Sequence, residues 1–312
     1  MQTTFKRIRI GVVVLIVLLI VLLLGLAIFH RISLRFEQVQ LIPPGHMVEV
    51  NGEMMHIYLA GENAEVPLLV FLPSAGRFAP VYNFRPLYTL LMDYYRIAVI
   101  DRFGYGYSDF TDASRDIDAV VLEIRTALSY LGETGPFVLL PHSISGLEAM
   151  RWAQLYPEEI AAIIGINMAP PALFLDDHIP EGFPTSHIFA SRIGIQRLPF
   201  FNALFYPYPV DEYTLTQAEH NQQRLLINRN FANKTVVAER VAAIPNSQTI
   251  LDEGLPSVST LLLVSRWAPY KEMFAREIDA QIIFFDSGHS LHQYEPNRVA
   301  DLVRMFISEL QK

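Results

Sequence analysis

The chain has 312 residues, of which 51% are hydrophobic, 18% charged and none cysteine. The missing cysteine excludes a disulfide scaffold, thiolate zinc and iron–sulfur centres and a thiol nucleophile; an apolar half with 12% aromatics excludes a disordered chain. A formal net charge of −8 argues against a nucleic-acid partner, because affinity for nucleic acid rests on neutralising phosphates.

The charge is unevenly placed. Lys6, Arg7, Arg9, Arg31 and Arg35 are the only charged residues in the first 35, leaving an acidic body behind a basic, greasy stalk. After a basic flank (1–9), residues 10–29 run from Ile10 to Phe29 without a charge, nearly all Val, Leu or Ile. As a helix such a run covers about 30 Å, the thickness of a bilayer's hydrocarbon core. The pattern predicts one N-terminal transmembrane helix, followed by a linker (30–44). A buried core helix is the bland alternative, and a cleaved signal peptide cut near Gly25 and Ala27 is the stronger rival; the apolar run exceeds the usual signal-peptide core of ~7–15 residues. The basic residues before the span predict a single-pass membrane protein with a cytoplasmic N-terminus and an extracytoplasmic body.

The body reads as one α/β unit, with a core (45–169 and 256–312) and a cap (170–255). Val48–Tyr58 reads as a hairpin around Asn51-Gly52. Short apolar runs at Leu68–Leu72, Ile97–Ile100, Phe137–Leu140 and Ile160–Ile166 predict strands, and strand character returns at Thr260–Val264 and Gln281–Phe285. Helical patterns span Tyr82–Tyr94, Ser114–Leu131 (with Gly132 as C-cap) and Asn297–Leu310. Near-continuous apolar strands alternating with amphipathic helices predict a mostly parallel central sheet with flanking helices.

The chemistry-bearing segment follows the strand Phe137–Leu140: Pro141-His142-Ser143-Ile144-Ser145-Gly146, then a helical Leu147–Ala153. A serine on a sharp strand-to-helix turn exposes its hydroxyl at the sheet edge, next to the positive end of a helix. The turn needs small residues two before and two after the serine. Pro141 departs from the expected Gly, Ser145 is small, and Gly146 adds room. Ser145 is the poorer nucleophile, since Leu147 would fill its tight position.

These residues resemble the α/β-hydrolase family's Gly-x-Ser-x-Gly elbow, and three further stretches match in order. Phe71-Leu72-Pro73-Ser74-Ala75-Gly76 is similar to the family's oxyanion loop. Asp101-Arg102-Phe103-Gly104-Tyr105-Gly106-Tyr107-Ser108-Asp109 is similar to its Asp-x-x-Gly-x-Gly-x-Ser-Asp stretch, read here as a packing turn and not a phosphate loop. Ser287-Gly288-His289-Ser290-Leu291-His292 is similar to its histidine loop. The resemblance implies the α/β-hydrolase fold with a helical cap insertion, Ser143 as nucleophile, His289 as base, and the backbone N–H groups of Ile144 and Ala75 as the oxyanion hole. His142 reads as structural. His292 makes a His-x-x-His spacing without a zinc motif around it, so neither metal nor cofactor is expected.

The acid is where the pattern breaks. Ala268 stands where many members carry Asp, and Asn167 occupies the alternative position after the preceding core strand. Asn167 is then the candidate to orient His289, and Asn167→Asp is expected to raise turnover; Asp176, Asp177 and Glu272 are rescue candidates by sequence proximity alone. A serine elbow argues against the carboxylate-nucleophile chemistry of the family's dehalogenases and epoxide hydrolases. The expectation is a membrane-anchored, esterase-like serine hydrolase that cleaves a small-molecule acyl substrate (ester, thioester or amide) through an acyl-enzyme. The aromatic stretch Pro199–Pro209 lines an acyl pocket, touches the bilayer or forms the cap's own core. One alternative is a catalytically quiet scaffold used for binding. Another is a proline-iminopeptidase-like enzyme whose cap carboxylates, Asp211, Glu212 or Glu219, hold a substrate amine.

Overall fold

The computed structural model describes residues 2–63, 66–176, 184–198, 215–266 and 269–311. Ala268, Asp177, Asp211, Glu212 and the stretch Pro199–Pro209 lie outside the described residues.

The chain opens with helix α1 (Gln2–Gln38). The hairpin β1 (His46–Val50) and β2 (Glu53–Ala60) turns on Asn51 and Gly52, both at positive φ (56° and 87°), as a tight two-residue turn requires. Next come β3 (Leu68–Leu72), the short helices α2 (Pro80–Asn83) and α3 (Arg85–Tyr88), and β4 (Ile97–Asp101). Helix α4 (Ile117–Tyr130), β5 (Phe137–Pro141), helix α5 (Gly146–Leu155) and β6 (Ile160–Ile166) complete the first part of the core. The described cap holds α6 (Thr185–Ile193), α7 (Gln217–Asn230) and α8 (Lys234–Glu253). The core resumes with β7 (Thr260–Ser265), α9 (Pro269–Glu277), β8 (Gln281–Phe285), α10 (Leu291–Tyr294) and α11 (Pro296–Leu310).

The eight strands form one sheet in the order β1-β2-β4-β3-β5-β6-β7-β8, antiparallel at β1/β2 and β2/β4 and parallel from β4 through β3 to β8. Side chains of successive strand residues point to opposite faces. Leu68, Val70 and Leu72 therefore join the cluster under α4 and α5, and Leu69 and Phe71 join the one under α3 and α11. On α11, Val299, Val303, Phe306 and Ile307 are all buried, each stabilising the fold by roughly 1.5–3 kcal/mol.

Three elements differ from the sequence expectation, two of them in the body. The helix expected over Tyr82–Tyr94 is two single turns, α2 and α3, followed by irregular turns. Each short helix carries a proline in its first turn, Pro80 and Pro86, and the residue before a proline resists continuing a helix. Helix α4 starts at Ile117 and not Ser114, because Asp116 caps it by accepting from Ala119 N–H.

The third difference lies at the stalk. The segment expected as a linker is helical to Gln38, and its last turns dock on the cap. Arg197 donates to both carboxylate oxygens of Glu37, at 2.6 and 2.8 Å, and its Nε–H donates to His30 Nδ1 at 2.8 Å. Gln222 Nε2 donates to the Gln40 carbonyl at 2.7 Å. Gly194, at φ +74°, ends α6; a Cβ there would sit 2.6 Å from the His30 side chain, so glycine permits the approach. Among the described residues, one helix, Phe5–Gln38, is long and apolar enough to cross a membrane.

Candidate active site

Four parallel strands, β3, β5, β6 and β8, deliver the candidate residues to one edge of the sheet. Leu72 and Pro141, the last residues of β3 and β5, pair with each other, so the loop carrying Ala75 and the turn carrying Ser143 emerge side by side. Asn167 follows β6, and His289 lies four residues beyond the end of β8.

Ser143 has φ +59°, a left-handed conformation that costs a side-chain-bearing residue about 1–3 kcal/mol unless its surroundings impose it. Here they do. The buried Ser145 hydroxyl accepts from His142 N–H (2.9 Å) and lies within donating distance of the Leu72 (2.8 Å) and His142 (3.0 Å) carbonyls. His142 N–H also reaches the Leu72 carbonyl, and the Ser143 carbonyl accepts from Ala169 N–H, both at 3.0 Å. A Cβ on Gly146 would strike Met168 at 2.3 Å, so the absent side chain lets α5 start against the β6 loop. Ser145 is thus consumed in bracing the turn, whereas Ser143 is only half-buried. Ile144 N–H belongs to the first turn after the elbow, where a helix leaves its donors unpaired.

The His289 imidazole tilts against that of His142, with ring centroids 5.0 Å apart. His142 also meets His292 edge-on at 4.7 Å, and His292 lies against Phe84. His142 and His292 are fully buried, and burial holds both well below the ordinary imidazole value. His289 keeps part of its surface exposed; burial of its ring, then the charges of Arg77 and Lys271, push it down to about 4. Among the described residues, Ser143 and His289 make no hydrogen bond with each other. No group of three or more histidine or acidic side chains among them is placed to hold a metal ion.

Asn167 does not meet the imidazole. Its amide N–H donates to the His289 carbonyl oxygen at 2.6 Å, and its Oδ1 accepts from Ser265 N–H (2.7 Å) and hydroxyl (3.0 Å). The other carboxylates considered are placed elsewhere. Asp176 is exposed and Glu272 lies 3.8 Å from Arg276. Glu219 caps α7 with Thr216 and pairs with Arg85 at 2.8 Å.

Three features had no clear signal in the sequence. Arg77, on the first loop, donates to Ser290 Oγ at 2.9 Å and so ties that loop to the histidine loop. Lys271, at the start of α9, donates to the Ser265 and Arg266 carbonyls beneath the same loop. Arg102, fully buried, donates to the Pro73 carbonyl (2.8 Å) and pairs with Glu148 on α5 (2.7 Å) and Glu239 on cap helix α8 (2.9 Å). Burial raises Glu148 to about 7, against the lowering effect of Arg102. One guanidinium therefore links the first loop, the elbow helix and the cap. The Gly-Tyr-Gly-Tyr stretch is a packing turn: Asp101 accepts from Tyr107 N–H (3.0 Å) and bonds His56 (2.7 Å), and any Cβ on Gly106 would overlap its carboxylate.

Residues 69–302 match the alpha/beta hydrolase family. The chain belongs to that family. It is 30% identical to the protein YbdG of Bacillus subtilis (strain 168) over the whole of both chains. It is 29% identical to the pimeloyl-[acyl-carrier protein] methyl ester esterase of Shewanella woodyi, over 42% of this chain and 46% of that one. Among solved structures, the Bacillus megaterium epoxide hydrolase in complex with an inhibitor superposes with a TM-score of 0.64, covering 84% of this chain and all of that one at 16% identity. At that identity the likeness speaks for the fold alone. The fold is that of the α/β-hydrolases, related to their epoxide-hydrolase and esterase branches.

Proposed function

We propose that this protein is a membrane-anchored serine hydrolase that cleaves a carboxylic ester, thioester or amide through an acyl-enzyme on Ser143. The observation that carries the reading is the strained, externally braced backbone of Ser143 beside the His289 loop, with the neighbouring Ser145 hydroxyl already used.

In the first step Ser143 Oγ attacks the acyl carbon while His289 takes its proton. The tetrahedral oxyanion is held by the N–H groups of Ile144 and Ala75. Collapse expels the leaving group, which takes the proton back from His289, and leaves Ser143 acylated. Water then attacks with His289 again as base, releasing the acid and restoring the serine. Asn167 acts as a positioning residue, fixing the histidine loop through its main chain. Residues 10–29 are the anchor, and the basic flank favours a body outside the cytoplasm. The family relation to a methyl ester esterase favours a small acyl substrate.

The test is labelling with a fluorophosphonate probe. Labelling of the wild type that is lost in Ser143→Ala and in His289→Ala supports the activated serine. A wild type that does not label favours a quiet scaffold, the second reading. That reading has its own observation: among the described residues no carboxylate is one of the groups acting on His289, while two cations are. An aminopeptidase role for Glu219 is disfavoured by its part in capping α7 and pairing Arg85.

A further inference from the structure

Between the last turns of α1, helix α6 and the start of α8 lies an open groove of about 620 Å³. Its lining includes Arg31, Arg192, Arg229 and Lys234 and, among the described residues, no carboxylate, with Phe110, Ile188 and Phe231 as apolar wall. Two of these cations, Lys234 and Arg229, are anchored. Lys234 meets Asp112, and Arg229 donates to the Gly106 and Ser108 carbonyls while packing 4.7 Å from the centre of the Phe110 ring. Arg31 and Arg192 are exposed and make no ion pair among the described residues. They come from different walls, Arg31 from the stalk and Arg192 from the cap.

The position of the groove selects its occupant. Phe29 ends the uncharged run and His30, the next residue, lines the groove. Once residues 10–29 span the hydrocarbon layer, the groove sits at the depth of the lipid headgroups. A lipid phosphate there would meet Arg31 and Arg192, with its acyl chains lying along the exposed Val and Leu side chains of α1. A soluble anion would gain the charges but leave the aromatic wall and the α1 surface uncovered.

We propose that this groove is a binding site for the headgroup of an anionic phospholipid, wedged between anchor and cap. The proposal rests on residues 10–29 spanning the bilayer, so the two are tested separately.

The full chain is first floated with neutral phosphatidylcholine vesicles; a chain left at the bottom of the gradient overturns both the anchor and the groove. The detergent-solubilised full chain is then titrated with phosphatidylglycerol, phosphatidylcholine or inorganic phosphate while its melting temperature is followed. Phosphatidylglycerol is expected to raise it saturably, and the other two are not. The double variant Arg31→Gln, Arg192→Gln is expected to melt at the wild-type temperature without lipid and to need about tenfold more phosphatidylglycerol or beyond for the same shift. Equal shifts with both lipids, or a double variant that responds like the wild type, overturn the site while leaving the anchor standing. A shift reproduced by inorganic phosphate marks a free-anion site and overturns the lipid assignment.

Discussion

The Asn167 amide holds His289 by its main chain: the N–H donates to the His289 carbonyl at 2.6 Å. Because Ser265 N–H can only donate and a carbonyl can only accept, the two partners fix which end of the amide faces which. The hydrogen-bonding pattern of this side chain suits an amide alone.

Asn167→Asp is therefore expected to lower turnover, reversing the expectation drawn from the sequence. The carboxylate would lose a donor and face a carbonyl oxygen, costing about 1–3 kcal/mol. Ester turnover and melting temperature measured together check this. A faster enzyme with unchanged stability would mean that the new carboxylate swings to the imidazole.

The elbow predicts opposite outcomes for its two serines. Ser143→Gly relieves the left-handed strain and is expected to stabilise by about 1 kcal/mol while abolishing probe labelling. Ser145→Ala leaves His142 N–H and the Leu72 carbonyl with fewer partners and is expected to destabilise by about 1–3 kcal/mol, with slower labelling from an intact nucleophile. Denaturant unfolding and labelling rates separate the two. Equal behaviour would remove the distinction.

His289 accepts a proton only when neutral. Its pKa is lowered from 6.5 to about 4 by burial, Arg77 and Lys271, so the neutral form persists below the usual imidazole range. The acid limb of kcat/KM is thus expected below pH 6.5, and Arg77→Gln is expected to move it upward by removing a cation. A pH–rate profile checks both; a limb at or above the ordinary value would show the base to be uncompressed by its surroundings. The same lowering makes His289 a weak base, so modest turnover is expected.

Arg102→Met strands the Glu148 and Glu239 carboxylates in the interior and is expected to destabilise by about 3–5 kcal/mol. Glu239→Gln keeps a partner for Arg102 and is expected to cost less, while loosening the cap; limited proteolysis of residues 184–253 would report this. Comparable losses in both variants would argue against a shared guanidinium.

The strands were legible because each of β3, β4, β5 and β7 is buried along its whole length, so nearly every position had to be apolar. The elbow was legible because its requirements are local. Pro80 and Pro86 gave the helix over Tyr82–Tyr94 away as broken, but periodicity alone passed over them. Contacts between distant residues left no local trace: Arg102 meets Glu239 across 137 positions and Arg77 meets Ser290 across 213. Asn167 was singled out by the family resemblance, but only coordinates reveal that it holds a carbonyl and not a ring.

The clasp of Arg197 on Glu37 and of Gly194 on His30 ties the cap to α1, and Arg102 ties the same cap to the first loop and to α5. A pull on α1 is therefore passed through the cap to the helix that follows Ser143, which puts stalk and elbow mechanically in series.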